Sequence, residues 1–123
     1  MSAFITVAYP RPSSGELKFD LNYYLDSHMP LVAKTWAPNG LKSWTVTEHA
    51  RPVPPSQNAK SCAATLYAEG PYAVQAILQW ESIGAFDKAA GEAGAAVVFG
   101  DIPKFTDIQP LLLKGDIKGS WTA

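Results

Sequence analysis

Residues 71–80, PYAVQAILQW, carry the clearest strand pattern in the chain and constrain what the rest can be. Tyr72, Val74, Ala76, Leu78 and Trp80 fall on one face, and Gln75, Ile77 and Gln79 on the other, as the period of two in a pleated strand requires. Residues 3–9, AFITVAY, read as a second, buried strand that ends at Pro10. Strands this apolar need another layer packed against them.

The intervening sequence supplies that layer. Asp20 can cap a helix over 21–27, since its carboxylate accepts from amides of the first turn. Leu21, Tyr24, Leu25 and His28 follow at spacings of three and four. Pro30 is predicted to interrupt this helix, because proline gives no amide hydrogen to the carbonyl four residues back and pushes Met29 from helical angles. A second short helix restarts with Pro30 in its first turn and runs to about Trp36. Pro38-Asn39-Gly40 makes a turn, and 41–49 is predicted as a strand with Leu41, Ser43 and Thr45 opposite Lys42, Trp44 and Val46.

Ser82 is predicted to cap a helix over 83–98, which Gly84, Gly91 and Gly94 weaken by up to roughly 1 kcal/mol each relative to alanine. Residues 105–117 are predicted as the final strand, with Pro110 marking an edge or a bulge. Residues 50–70 hold three prolines in four positions and then small residues. They read as an excursion that covers a pocket or clasps a second subunit.

The order strand, helix, strand, strand, helix, strand predicts one α+β domain over 1–123. It is a ferredoxin-like βαββαβ subunit, an antiparallel sheet with two helices on one face. The first strand is apolar on both faces, Phe4 and Ala8 opposite Ile5 and Val7, so the uncovered face predicts a homodimer with sheets packed face to face. A hydrophobic content of 47% with 17% charged residues describes a globular chain, and a net charge of −1 offers nucleic acid no basic field. No run approaches 18 apolar residues, and MSAFITVAYP lacks the basic start and long apolar stretch of a signal peptide. The expectation is a cytoplasmic protein with no membrane or nucleic-acid partner. Cys62 is alone, which excludes an intrachain disulfide and a metal site of several thiolates.

The chain has only two histidines, and one of them, His28, sits where the helix is expected to break. An imidazole there can turn out of the helical register into a cleft and exchange a proton near neutral pH; the alternative is a ring that satisfies the carbonyls of the broken turn. Asp101, between Gly100 and Ile102-Pro103, can orient that imidazole, or can accept its own backbone amides in an Asx turn. Asp107 is a weaker candidate for the same role. Tyr9, Tyr24, Trp36 and Trp80 are candidate pocket walls for an aromatic, oxygenated ligand, from a set of rings that also includes Tyr23, Trp44 and Tyr72. Gln75 and Gln79 contact a ligand if they face the helices, and otherwise meet across the dimer. His49 reads as a strand-end surface residue, and Cys62 has too little basic company to be a nucleophile. No dinucleotide fingerprint, phosphate loop or H-x-x-x-H pair is present.

FDLNYYLDSHMPLV, WAPNGLKSW, PYAVQAILQW and GDIPKFTDIQP together resemble the EthD family, named for ethyl tert-butyl ether degradation, of the dimeric α+β barrel superfamily. The resemblance covers nearly the whole chain outside 50–70. It implies a ferredoxin-like subunit that dimerises into a barrel, with His28 at the position of the family's histidine. It further implies a cofactor-independent enzyme of catabolism or polyketide metabolism, acting on a hydrophobic oxygenated metabolite. Decarboxylation, isomerisation, dehydration or cyclisation, and oxidation all fit, which spans lyase and oxidoreductase types. Two alternatives stay open: a non-enzymatic accessory protein for a catabolic oxygenase, and a haem- or flavin-assisted oxidoreductase.

Overall fold

β1 (Ala3–Pro10) lies between β3 (Tyr72–Trp80) and β4 (Leu111–Asp116), and β2 (Leu41–Glu48) flanks β3. All neighbours are antiparallel, in the order β2-β3-β1-β4, as the ferredoxin-like reading requires. The computed structural model describes residues 2–12, 17–49 and 72–123, so the excursion expected at 50–70 lies outside the described residues.

Register fixes the two faces. Ile5 pairs with Leu78 and Lys114, and Val7 with Ala76 and Leu112. Ile5, Val7, Ala76 and Leu78, with Tyr9, Val74 and Trp80, form the sheet side of the core, and Leu112 and Lys114 lie on the same side at the exposed edge. Phe4, Thr6 and Ala8, with Ile77, Leu111 and Leu113, point the other way. Phe4, Leu111 and Leu113 are 42%, 45% and 54% exposed, so the β1–β4 part of the face away from the helices carries exposed apolar side chains, as β1 predicted.

The helical layer departs from expectation at two places, both with local causes. The helix does not break at Pro30. α1 (Leu21–Tyr23) passes through a π-helical turn (Tyr24–His28) directly into α2 (Met29–Trp36). In that turn the amide of Met29 reaches back five residues to the carbonyl of Tyr24. The widened turn ends where the amide-less proline begins, so the coil absorbs Pro30 without stopping. Asp20 caps the start as predicted, its Oδ1 accepting from the Tyr23 amide at 3.0 Å.

The helix predicted over 83–98 is two helices, α3 (Ile83–Ala90) and α4 (Ala93–Gly100). Ser82 caps the first, with Oγ accepting from the Ala85 amide at 3.0 Å. Gly91 closes it, and Glu92 is extended, with φ −98° and ψ 168°. Glycine, the weakest helix former here apart from proline, stands where the chain turns.

Two strand assignments also change. β4 starts at Leu111, not at 105: residues 102–104 form a 3-10 turn, Thr106 bridges to Phe19, and Pro110 immediately precedes the strand. In β2 the register shifts between Leu41 and Ser43, making Lys42 the extra residue. Leu41 therefore joins Trp44 and Val46 on the helix side instead of Ser43 and Thr45. Gly40, at φ +119°, makes the preceding turn in a conformation that side chains resist.

α4 packs against α2 through a glycine. A Cβ added at Gly94 would lie 2.8 Å from Thr35 Cγ2, nearer than real methyl contacts come. Gly94→Ala should fail to deliver the roughly 1 kcal/mol that alanine ordinarily gains over glycine in a helix. The same change in a Thr35→Ser background, where the methyl is gone, should recover it. Urea unfolding of the four proteins of this cycle measures the difference, and equal effects of Gly94→Ala in both backgrounds would contradict the contact.

Candidate active site

The π turn determines what His28 can reach. Its wider winding brings Tyr23 and His28, five residues apart, to the same side of the coil, where a plain α-helix would separate them. Both meet Asp101, which follows the last residue of α4. His28 Nδ1 lies 2.9 Å from Asp101 Oδ2, and the Tyr23 hydroxyl donates to Asp101 Oδ1 at 2.9 Å. Lys104 Nζ stands 3.6 Å from Oδ1, although its own side chain is largely exposed. The Asx-turn alternative for Asp101 is therefore not realised, because its carboxylate oxygens serve two side chains. His28 is likewise not spent on main-chain carbonyls.

The protonation pattern follows from what each group can do. Burial pushes the Asp101 carboxyl up, but hydrogen bonds from His28 and Tyr23 and the nearby positive charge outweigh it and hold the group below its usual range. An ionised carboxylate only accepts, so His28 Nδ1 must carry the hydrogen. Nε2 is then the basic nitrogen, and it has no partner among the described residues. Burial depresses the imidazole pKa below its ordinary value, and Asp101 only partly restores it. The ring is therefore neutral at pH 7, with a free lone pair. The Tyr23 hydroxyl is held protonated by its bond to Asp101.

His28 lines an apolar cleft between the helices and the sheet, shared with Tyr9, Tyr24, Met29, Val32 and Trp36. The interior is narrow, about 30 Å³, room for roughly two waters. Its mouth includes Phe99 and Leu112, which are 37% and 39% exposed. Neither Asp, Glu, Lys nor Arg lines it among the described residues. Burial pushes the phenols of Tyr9 and Tyr24 well above their ordinary value, and each hydroxyl interacts with the other, so both stay protonated. Tyr24 stacks on His28 at 5.3 Å between centroids, and Phe105 closes on the ring at 4.7 Å.

Of the residues singled out in the sequence, His28, Tyr9, Tyr24 and Trp36 come together at the cleft, and Asp101 stands behind His28. Two do not belong. Gln75 lies on the open face of the sheet, because its neighbours Val74 and Ala76 face the helices; its amide bonds His49 Nε2 at 2.9 Å. His49 directly follows the last residue of β2 and is half-buried. Gln79, on the same open face, takes Ser43 Oγ at 3.4 Å. Trp80 is fully buried behind Trp36 and Phe86 and does not line the cleft. Asp107 is exposed, and Cys62 lies outside the described residues. The sequence reading counted Tyr23 only among the rings and missed its bond to Asp101, which depends on the π turn. The described residues include no group of three or more His, Cys, Asp or Glu side chains able to hold a metal ion, and no helix long and apolar enough to cross a membrane.

One structural neighbour is an EthD-like protein from Ralstonia eutropha JMP134, with a TM-score of 0.74 and 23% identity over 98% of this chain and 96% of that one. An ethyl tert-butyl ether (EthD) family protein from Bacillus halodurans C-125 superposes with a TM-score of 0.61 at 17% identity, over 95% of this chain and 99% of its own. A hydroxynitrile lyase from Passiflora edulis reaches 0.55 at 7% identity, covering 98% and 96%. No protein-family model and no curated protein matches the chain. The chain thus has the α+β, ferredoxin-like fold of EthD-like proteins, and the resemblance read from its motifs holds at the level of fold.

The neutral state of His28 has a consequence for stability. In the unfolded chain imidazole titrates near its ordinary value of about 6.5, above its value in the fold. Unfolded molecules therefore take up the proton first as pH falls, so the stabilisation is complete above about 6.5 and is lost below it. Urea unfolding should show stability declining from about pH 6.5 downwards, and His28→Gln should flatten that decline. A slope unchanged by the substitution would contradict a buried neutral imidazole.

Proposed function

We propose that the chain is a small-molecule enzyme that moves a proton on an aromatic or otherwise hydrophobic, oxygenated metabolite, without a cofactor. One observation carries this reading: His28 Nδ1 is fixed by the Asp101 carboxylate, while Nε2, basic and unpartnered among the described residues, belongs to a side chain that lines an apolar cleft. In such a site His28 is the base. It takes a proton from an acidic carbon or hydroxyl of the substrate, and Asp101 steadies the imidazolium that results. Tyr23 positions Asp101. The return of that proton to a different atom gives isomerisation, dehydration or cyclisation, and loss of carbon dioxide or cyanide gives a lyase. The hydroxynitrile lyase among the structural neighbours supports a lyase on this fold.

His28→Gln, which keeps a donor for Asp101 but lacks the base, should lower turnover by about 10²–10⁴-fold on a substrate found by screening aromatic oxygenated compounds. Asp101→Asn should lower it less. It should also move the acid limb of the kcat/KM profile to lower pH, since the carboxylate charge that helps raise the His28 pKa is gone. Full activity of folded His28→Gln would overturn the base assignment. Ligand affinity with no turnover in the unaltered protein would favour an accessory binder, and a haem or flavin chromophore in the purified protein would overturn cofactor independence.

The working unit in this proposal is a homodimer joined through the open sheet face, where Phe4, Leu111 and Leu113 form an exposed apolar strip beside Ile77. Sedimentation should give twice the chain mass for the unaltered protein and the single mass for Leu113→Glu. A unaltered protein that stays monomeric at micromolar concentration would refute the dimer.

A further inference from the structure

Trp36 is 3% exposed and lines the same cleft as His28, yet its indole Nε1 hydrogen finds no acceptor among the described residues. A buried donor without an acceptor is destabilising, and such groups are uncommon in folded proteins unless a ligand or water completes them. Trp36 lies eight residues after His28 in one helical run, and side chains in a helix lean towards its start, so the indole leans towards the imidazole. The hydroxyls at the cleft, those of Tyr9 and Tyr24, share a hydrogen bond with each other. No cationic side chain lines the cleft among the described residues, so nothing there repays the desolvation of a carboxylate or phosphate.

From these observations we infer that the cleft takes an uncharged carbonyl compound, whose oxygen accepts from Trp36 Nε1 while its acidic C–H faces His28 Nε2. The inference rests on the proton-transfer reading above and gives it a substrate class. In the step, the C–H bond breaks and its proton passes to Nε2. The bonding pair forms the enolate double bond, and the carbonyl π pair moves onto the oxygen, where the indole hydrogen meets the growing charge. Return of the proton from the imidazolium restores electrical balance, with no oxidant or reductant. The tight interior requires Phe99 and Leu112, both partly exposed at the mouth, to move aside on entry.

The test uses 2-indanone, a neutral bicyclic ketone with acidic benzylic hydrogens, and indane, its counterpart without oxygen. In ¹H–¹⁵N spectra of the full chain, the Trp36 indole signal, assigned by its loss in Trp36→Phe, should move on adding indanone and much less on adding indane. The Trp80 indole, enclosed away from the cleft, should stay in place. Indanone should bind about two- to tenfold more tightly than indane, as one neutral hydrogen bond warrants. That ratio should collapse in Trp36→Phe, and because it is taken within one protein, general packing losses cancel. His28→Gln should keep the ratio but lose protein-accelerated deuterium exchange at the benzylic carbon. A ratio and an indole signal indifferent to the ketone oxygen would overturn the Trp36 assignment while leaving His28 untouched. A responding indole with no accelerated exchange in the unaltered protein would refute the proton-transfer reading and leave Trp36 standing. Binding of neither compound at millimolar concentration, or preferred binding of indane-2-carboxylate, would overturn the neutral-carbonyl class itself.

Discussion

One carboxylate joins the helices that wall the cleft. Asp101 closes α4, and its two oxygens reach back 73 and 78 residues to the ring nitrogen of His28 and the hydroxyl of Tyr23. The contact ties the first helical run to the end of the last helix, so the layer over the sheet is joined by a charged group as well as by packing. It also sets the chemistry, because an acceptor-only partner decides which imidazole nitrogen is protonated. Removing that carboxylate would take the acceptor from the buried Nδ1 hydrogen of His28 and from the partly exposed hydroxyl of Tyr23.

Around that contact the core divides into two aromatic groups. Tyr9, Phe19, Tyr24 and Phe105 pack together, edge to face apart from the tilted Tyr24–Phe105 pair, with centroids 4.9 to 5.9 Å apart, and Tyr24 and Phe105 contact His28. Trp36, Trp80, Phe86 and Phe99 form the second, with contacts of 5.3 to 5.8 Å. The cleft draws walls from both, with Met29 and Val32 on the α2 surface between them. Rings hold such walls at low entropic cost, and they exclude water, which keeps the imidazole uncharged and makes any polar contact inside count for more than it would in solvent.

Much of this was legible in the sequence because the signals were local or periodic. Alternation in 72–80 and the turn at Pro38-Gly40 gave the sheet, and caps at Asp20 and Ser82 gave the helix starts. Asp101 was legible as an orienter only as one of two readings, since an Asx turn fits the same residues. What escaped was geometry that no period encodes. The widened turn at Tyr24–His28 looks like a break when proline is judged by α-helical bonding alone, and without it Tyr23 cannot be placed beside Asp101. Gln75 was ambiguous until register showed which way its neighbours faced. The extra residue at Lys42 reversed the side of Leu41, a change invisible without the partner strand.

β4 forms the rim of the cleft and part of the uncovered sheet surface at once, since Leu112 points to one and Leu111 and Leu113 to the other. As the outermost strand it is held by hydrogen bonds along one side only. Sliding it by a single position against β1 would invert every one of these leucines together, exposing to solvent what lines the cleft and turning the outer leucines towards the helices. The rim of the cleft and the apolar strip of the outer surface are therefore coupled through the same six residues, Leu111–Asp116, and a shift in one is a shift in both.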